Sequence, residues 1–511
     1  MGEHHKKVLQ QYLRSHQSKS KTHDGEHSSS YRPNAGDSID RTTTTLNEKF
    51  KWMKVSKTES STSAPRNTAL RKTLPRIPVA RRKLKIDDLP DEILLIIFEF
   101  LPANDLLVSA SVCRRWLKLS NDDILWQGLY IKYGQLKRNE SVDVQLKCHG
   151  GIRWKRECIR RCIEKRNSRL KLLLKKINNY TLLPGETKKV IEKLGIKWQL
   201  VLTDSDKNEH IIDQSDVSHF LTSITVRWYS LEFPPIRNIR QVAIYAIAPV
   251  FFHKNGSPVV NSPCQRSLLL KSNPQTILKG QEIGGDDRVS LYYVQGGPLL
   301  AVWKEDGDLA FVSQSFHCSH LIQRCLHGSS ESIHRPILKK PPVDDIDPQY
   351  GLHDYTCVVE LRNQRAAHWN QQFTFLHTCK TKIVDGMAKL VLIREDKATD
   401  HSATSKKLSL PWKTEIFKGI IQNVCIMDVT LHDEFKEVMW TVSSPVVIAE
   451  TEDHKVDFTY DGPEYHITYN DETGHVMLRL IWIEDRDIFL ITKAELNLSC
   501  KAINQWFKTK Y

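Results

Sequence analysis

The sequence predicts an α+β protein with a small three-helix module, a helical spacer and a large antiparallel β-rich domain of sandwich-like form. The first observation is the length, because 511 residues exceed what one compact domain holds. The second is a change of hydrophobic period, from helical up to about residue 195 to strand-like afterwards. The third is the composition, since 40% hydrophobic and 26% charged residues exclude a fibrous or wholly disordered chain.

Residues 1–83 are predicted to be a disordered, basic tail rich in serine and threonine. Residues 1–85 hold 19 Lys and Arg against 7 Asp and Glu, most of the net charge of +14. The cluster Arg81–Lys85 fits a nuclear localisation signal, an anion-binding patch or a solubilising lead-in, and the last is favoured. Because the excess charge lies in this tail and one helix, a nucleic-acid-binding domain is not indicated.

Residues 84–133 are predicted to form the helical module. Pro90 fits the first turn of a helix whose body is Ile93–Phe98. A second helix start is expected at Asn104-Asp105 and a third at Asn121–Asp123, since Asn and Asp cap free N–H groups.

The first helix has more apolar surface than its own module can hide. Ile93–Phe98 is six consecutive apolar residues, which at about 100° per residue go all the way round the helix. A helical unit of about 45 residues also buries too little surface to be stable alone. Either the C-terminal domain covers the free face, as in an ordinary buried helix, or another protein does.

The order of residues in this module closely resembles the F-box. The matching positions are Leu89-Pro90-x-Glu92-Ile93-Leu94-x-x-Ile97-Phe98-x-x-Leu101-Pro102, Asp105-Leu106-Leu107, Val112-Cys113-Arg114-Arg115-Trp116 and Leu125-Trp126. The resemblance implies binding to the adaptor of an SCF (cullin–RING) ubiquitin ligase, the S-phase kinase-associated protein, and through it to a cullin scaffold and a RING subunit. The contacts implied for the first helix are Leu89, Pro90, Ile93, Leu94, Ile97 and Leu101. Those implied for the second helix and the internal packing are Leu106, Leu107, Val112, Cys113 and Trp116. No leucine-rich repeat or WD-type blade signature follows, which indicates the F-box only class.

Residues 134–195 are predicted to be a helical linker. A long helix is expected over about 152–177, where Arg153–Lys176 carries 11 basic and 2 acidic residues. It is interpreted as a spacer with one packed and one solvated face, and an acidic partner or a membrane surface is the alternative. A short helix is predicted to begin at Pro184–Thr187 and to end at Gly195.

Residues 196–511 are predicted to be the β-rich substrate-recognition domain. Thirteen segments have strand-like patterns: Trp198–Thr203, Ile224–Tyr229, Val242–Phe252, Leu299–Trp303, Leu309–Ser313, Tyr355–Leu361, Phe373–His377, Lys389–Ile393, Val424–Leu431, Val438–Val442, Tyr465–Tyr469, Val476–Ile483 and Ile488–Thr492. In Val424–Leu431 apolar and other residues nearly alternate, which predicts a strand with one buried face and one face in contact with water. The proline-rich residues 328–350 are either a boundary between two lobes or a surface excursion of one domain, and the excursion is favoured.

The sequence does not indicate catalysis or a cofactor. It contains no phosphate-binding glycine loop, no Gly-x-Ser-x-Gly and no RING or HECT pattern. His317-Cys318-x-His320 with Cys325 and His327 has zinc-ligand types in no standard spacing, so a metal-free role is favoured. Asp344-Asp345-x-Asp347 is interpreted as solvated loop charge rather than a cation site.

We therefore expect a non-catalytic receptor that tethers a protein target, of unknown identity, for ubiquitination. The rival hypothesis is a structural or regulatory adaptor whose F-box serves no ligase. A third, weaker hypothesis is a nucleic-acid binder that uses the basic tail. The chain lacks an N-terminal apolar run and a bilayer-spanning stretch, and its 11 cysteines include no Cys-x-x-Cys pair. A cytoplasmic and/or nuclear location is expected.

Overall fold

The computed structural model describes residues 86–134, 154–253, 255–280, 282–451 and 460–511. All of them belong to one compact unit, Leu84–Tyr511. The predictions for residues 1–83, for the Arg81–Lys85 cluster and for the spacer between 135 and 153 lie outside the described residues.

Over the described residues 86–134, the module contains four α-helices where three were predicted. They are α1 (Asp91–Glu99), α2 (Ala103–Ser109), α3 (Arg114–Ser120) and α4 (Asp123–Gly134), with a 3₁₀ turn at Ile86–Asp88 ahead of them. The predicted second helix is broken before Arg114, because Cys113 is extended with φ −157°. The Cys113 sulfur accepts the backbone N–H of Trp116 at 3.4 Å, which starts a new helix.

The predicted helix starts are close to those observed. Pro90 is the residue before α1, with Asp91 at the positive end of the helix dipole. Pro102, and not Asn104, precedes α2. Asp122 caps α4 as predicted, because its Oδ1 accepts the N–H of Ile124 at 2.9 Å.

Two further helices lead into the β-rich region. The basic helix α5 spans Trp154–Leu173, and α6 spans Thr187–Leu194. Gly195 ends α6 at φ +60°, and a Cβ there would lie 3.0 Å from the Pro258 ring. Both the left-handed backbone and the close approach favour glycine at this position.

The first half of the β-rich region is a two-sheet sandwich. Its strands are β1 (Lys197–Asp204), β2 (Glu209–Asp213), β3 (Asp216–His219), β4 (Ser223–Trp228), β5 (Ile239–Pro249), β6 (Cys264–Ser272), β7 (Glu282–Gly285), β8 (Val289–Tyr292), β9 (Leu299–Trp303) and β10 (Leu309–His317). The antiparallel sheets have the orders β2-β1-β5-β6 and β3-β4-β10-β9-β8-β7. Leu200 and Ile244 of the first sheet share a core with Val226 and Leu300 of the second. Helices α7 (Pro274–Leu278) and α8 (Leu321–His327) border this sandwich.

The second half is built around one long antiparallel sheet. Its elements are β11 (Tyr355–Arg362), β12 (Ala367–Leu376), β13 (Ile383–Val384), β14 (Met387–Ile393), β15 (Ser402–Ala403), β16 (Ser409–Lys413), β17 (Lys418–Gln422), β18 (Val424–His432), β19 (Val438–Glu450), β20 (Glu464–Asn470), β21 (Gly474–Ile483), β22 (Ile488–Ser499) and α9 (Cys500–Phe507). The sheet order is β12-β11-β18-β19-β20-β21-β22-β14-β13, with β15 beside β22 and β16–β17 as a separate hairpin. Met427, Leu478, Leu496 and Phe507 share its core.

The two halves have separate main cores but form one unit. Within the described residues, segment 328–354 contains neither helix nor strand. A third core joins the halves across β10 and β16, where Phe311 packs with Leu410 and Ile426. The prediction of a wet face on β18 is wrong, because all nine of its residues are buried. One face, with Met427, lies in the core of the second half, and the other, with Ile426, lies in the core that joins the halves.

Candidate partner-binding surface

Helix α1 leaves half of its six apolar residues exposed. Leu94 is fully buried and Phe98 lies four residues further on the same face. Ile93 is 43% exposed, and Ile96, Ile97 and Phe100 are exposed to a similar extent. The remainder of the described chain therefore does not cover this side of the helix.

Exposed apolar residues are also found in the other helices and turns of the module. Further large apolar side chains of the module that are exposed are Ile86, Val108, Val112, Leu117, Ile124 and Ile131. Ten exposed large apolar residues in this described part of 49 residues exceed the scattered single residues normal for a monomer surface. An accumulation of exposed apolar residues of this kind is typical of surfaces that bind another protein.

The structure separates the predicted contact residues into three groups. Those exposed are Pro90, Ile93, Ile97, Val112 and Cys113, and those half-buried are Leu89, Leu101, Leu107 and Trp116. Leu94 is completely buried in the core of the module, so its prediction as a first-helix contact is corrected. Leu106 is also completely buried, which fits the internal packing implied for its group. The motif positions also missed Ile96 and Phe100, which helical spacing from Ile93 could have found.

The core fixes the shape of this surface. Trp126 is fully buried, and its Nε1 donates to the carbonyl of Ser120 at 2.7 Å. Phe98 packs edge-on against Trp116, with ring centroids 5.3 Å apart. These contacts hold α1, α3 and α4 in one arrangement, so the exposed residues of α1 are held in fixed positions.

Helix α5 connects the module to the sandwich. Cys158 lies in the core of the module together with Val250 and Phe251, which follow β5. Arg166 is only 5% exposed and donates to the carbonyl of Pro249 at 3.0 Å and to Gln265 Oε1 at 2.9 Å. Its burial lowers the pKa of the guanidinium to about 10.

The other face of α5 is solvated, as predicted. Arg156, Arg160, Glu164 and Lys165 are exposed. Arg160 pairs with Glu164 and with Glu157 on this face. The helix is therefore a packed spacer whose charge faces water along one side.

The zinc-type residues of 317–327 do not converge in the structure. His317 Nε2 lies 2.8 Å from Thr430 Oγ1. Cys318 and Cys325 belong to the apolar core, and burial raises the pKa of each thiol to about 12. Both therefore carry their proton at neutral pH.

Other metal-ligand types do meet in the described part of the chain. His353, Asp354 and Glu434 place ligand atoms within 4.8 Å of one another. Asp344, one of the predicted loop charges, accepts the N–H groups of Ile346 and Asp347 within its own turn.

Among the described residues, no helix combines the length and apolarity needed to cross a bilayer.

Comparisons with known proteins agree with the geometry of the module. A family model described as F-box-like matches residues 86–132. Human F-box only protein 15 is 32% identical over 440 residues, which cover 83% of this chain and 86% of the human protein. Mouse F-box only protein 15 is 28% identical over 438 residues, or 82% of this chain and 99% of the mouse protein. Chicken F-box DNA helicase 1 is 53% identical over 51 residues, which are 9% of this chain and 5% of that protein. The chain therefore belongs to the F-box protein family, among relatives of F-box only protein 15.

Proposed function

We propose that this chain is the substrate-recognition component of an SCF ubiquitin ligase. Members of the F-box family are generally substrate receptors of that complex. The exposed side of α1 would bind the adaptor, the S-phase kinase-associated protein, which would bring a cullin scaffold and a RING subunit. The observation that carries the proposal is the exposed Ile93, Ile96, Ile97 and Phe100 on a module whose family docks in this way.

The exposed area is sufficient for a stable contact. Full burial of a large apolar side chain contributes about 1.5–3 kcal/mol, so each half-exposed residue of α1 would add about 1 kcal/mol on docking. The exposed residues of α2 to α4 add further area. Their sum offsets the translational and side-chain entropy lost on association.

In this proposal the chain does no ubiquitin chemistry itself. It would bind the target and the adaptor at the same time, and the rate of transfer would rise because the target is held near the loaded enzyme. Arg166 and the shared core of Cys158, Val250 and Phe251 support this role, since they fix the module to the sandwich.

Reconstitution with purified subunits tests the proposal. The full chain is mixed with the adaptor, the cullin and the RING subunit, and assembly is followed by size-exclusion chromatography. Ile97→Asp should prevent co-migration with the adaptor. The matched control is Ile337→Asp, in segment 328–354, where the isoleucine is 97% exposed. Assembly of Ile97→Asp at the wild-type level would contradict the proposed contact.

A second arm addresses the ligase role. The assembled complex is supplied with ubiquitin, its activating and conjugating enzymes, and proteins captured on the chain. Ubiquitination of a captured protein that requires both the chain and the adaptor supports the receptor role. Binding of the adaptor without ubiquitination of any captured protein favours a non-ligase adaptor.

A further inference from the structure

A histidine and two carboxylates meet where segment 328–354 enters the second half. His353 and Asp354 are the last residues of this segment before β11, and Glu434 lies in the turn between β18 and β19. Strands β11 and β18 pair antiparallel, so the start of β11 lies beside the end of β18. His353 Nδ1 is 3.2 Å from Asp354 Oδ2 and 4.0 Å from Glu434 Oε2. We call these three residues the histidine–carboxylate cluster.

The spacing within the histidine–carboxylate cluster fits one metal ion. Ligand atoms of all three residues lie within 4.8 Å of one another. A tetrahedral zinc ion with bonds of about 2.1 Å places its ligand atoms about 3.4 Å apart. The separations of 3.2 and 4.0 Å from the histidine nitrogen lie on either side of that value. Three protein ligands of these types leave a fourth position for water, as in open zinc sites.

Asp347 holds the histidine in the orientation that a metal ligand needs. Its Oδ2 lies 2.5 Å from His353 Nε2. An Nε2–H donated to this carboxylate leaves the lone pair on Nδ1, the ring atom that faces Asp354 and Glu434. A lone pair that faces two carboxylates is repelled by them, so the arrangement needs either a metal ion or a second proton on the ring. Metal-binding histidines almost always donate their other N–H to a carboxylate, a carbonyl or water.

Glu434 favours the metal ion over the second proton. Its side chain is 21% exposed, and its Oε1 is buried without a hydrogen-bond partner among the described residues. A proton on His353 Nδ1 lies between Asp354 Oδ2 and Glu434 Oε2, and so leaves this other oxygen of Glu434 without a donor. A buried polar atom without a partner is costly, and a cation that binds the carboxylate lowers that cost.

The lysines of this region do not pair with the histidine–carboxylate cluster. Lys339 Nζ lies 3.4 Å from Glu437 instead. The charge of Lys380 acts on Asp347, which is outside the three ligands. Within the described residues, Asp354 and Glu434 have only the histidine as a basic partner at ion-pair distance.

The backbone beside the ligands is fixed on both sides. Leu352 is completely buried, and its carbonyl accepts a backbone N–H at 2.8 Å. Asp433 is 1% exposed and accepts from Trp506 Nε1 at 3.0 Å. The residues next to His353 and Glu434 are therefore anchored in the fold, so small side-chain rotations are enough to bring the ligand atoms around one ion.

We infer that His353, Asp354 and Glu434 bind a zinc ion, with Asp347 as the carboxylate that orients the histidine. The imidazole nitrogen favours zinc over calcium and magnesium, which take oxygen ligands. The ion joins the end of segment 328–354 to the turn between β18 and β19 and so fixes the connection between the two halves. The inference does not depend on the proposed function, because the ligands lie in the second half and not in the F-box module.

Titration of the chelator-treated full chain with zinc alone, followed by calorimetry, tests the site. Variants are compared with the wild type because other histidines and cysteines of the chain also bind zinc. The wild type should bind one more equivalent than Asp354→Asn with Glu434→Gln. Asn suits the backbone of residue 354, whose φ is +59°. Glu484→Gln with Asp485→Asn, exposed in the turn between β21 and β22, is the matched control and should retain the equivalent.

Asp347→Asn separates a metal site from a histidine that is simply protonated. It should weaken zinc binding about 10–100-fold without changing the stoichiometry, because it removes the partner that orients the ligand. Zinc, but not calcium, should raise the thermal midpoint of the wild type more than that of the doubly substituted cluster variant. Equal zinc stoichiometry and affinity in these two proteins overturn the inference and leave His353 as an imidazolium paired with carboxylates.

Two further measurements keep the outcome decisive. Thermal midpoints in chelator show whether the substitutions disturb the fold. If the doubly substituted variant has a lower midpoint there, Glu434→Gln alone replaces it and should still lose the additional equivalent. Adaptor binding is measured on the same variants and should equal that of the wild type, so the failure of this inference is distinct from the failure of the proposed function.

Discussion

Ile93 and its neighbour Leu94 provide a sharp test of the adaptor surface. They are consecutive residues of α1 with opposite environments, because Ile93 is 43% exposed and Leu94 is completely buried. We expect Ile93→Asp to abolish adaptor binding while the module stays folded. The new carboxylate lies in the first turn of α1, where the helix dipole favours negative charge.

The size of the effect follows from the exposed fraction. Burying the exposed part of Ile93 on docking contributes about 1 kcal/mol to the binding free energy. This is the exposed fraction of the about 1.5–3 kcal/mol gained when a whole isoleucine side chain is buried. Leaving an aspartate unpaired in the interface costs about 3 kcal/mol more. The sum of about 4 kcal/mol is a loss of affinity of roughly 1000-fold. In the free chain the substitution at an exposed site should change stability by no more than about 1 kcal/mol.

The assay is isothermal titration of the purified chain with the adaptor, with the thermal midpoint measured on each sample. Leu94→Ala is the contrasting variant, since a cavity at a buried leucine costs about 2–5 kcal/mol of stability. Leu94→Ala should lower the thermal midpoint, and it should weaken adaptor binding because less of the chain is folded. Ile211→Asp, on the edge strand β2, is the exposed control and should bind normally. Wild-type affinity in a folded Ile93→Asp chain would refute the assignment of this face.

Three further substitutions test the core and the connection between domains. Glu360 is 2% exposed, and burial together with the charge of Asp428 raises its pKa from 4.5 to about 7. Between about pH 4.5 and 7 the folded state therefore keeps a proton on Glu360 that the unfolded state has lost. This difference stabilises the folded state by an amount on the order of 3 kcal/mol. The stabilisation is fully present below about pH 4.5 and is lost as the pH rises through about 7. Glu360→Gln should flatten the fall in thermal midpoint over that window, and an identical pH profile in both proteins would contradict the assignment. Arg166→Ala leaves the carbonyl of Pro249 without this donor and should speed amide hydrogen exchange in α5 and the end of β5; unchanged exchange would show that the contact is not needed. Trp126→Phe removes an indole N–H inside the module and should cost about 1–3 kcal/mol of stability, which a thermal midpoint equal to wild type would rule out.

Strands with continuous apolar pattern could be predicted from the sequence, and short polar edge strands could not. The bounds of β9, Leu299–Trp303, were predicted as observed because most of its residues are buried and apolar. Strand β2, Glu209–Asp213, was missed because its alternate residues are exposed. Its extended conformation depends on pairing with β1, and a local pattern does not report a partner that is distant in the chain.

The sequence predicted which module carries the candidate site, but it did not predict which side of α1 is exposed. The resemblance marks Ile93, Leu94 and Ile97 equally, since each is an apolar residue at a motif position. Which of them is buried depends on where α3 and α4 pack, and the break at Cys113 that positions α3 was not predicted. Spacing identifies the helix, whereas tertiary packing decides which of its sides remains for a partner.

The wrong prediction for β18 shows that a polar residue in a strand can face buried protein instead of water. Asp428 and Thr430 alternate with apolar residues, a pattern typical of a face in contact with water. Both are instead buried: Asp428 accepts from Ser223 of β4, in the two-sheet sandwich, and pairs with the fully buried Arg362 of β11. The alternation predicts a polar neighbour correctly, but that neighbour is protein rather than solvent. Separating the two halves would remove the Ser223 hydrogen bond from the buried Asp428 carboxylate, which costs free energy. This polar contact therefore favours the two halves behaving as one unit, although the proline-rich segment 328–354 between them suggests a domain boundary when considered alone.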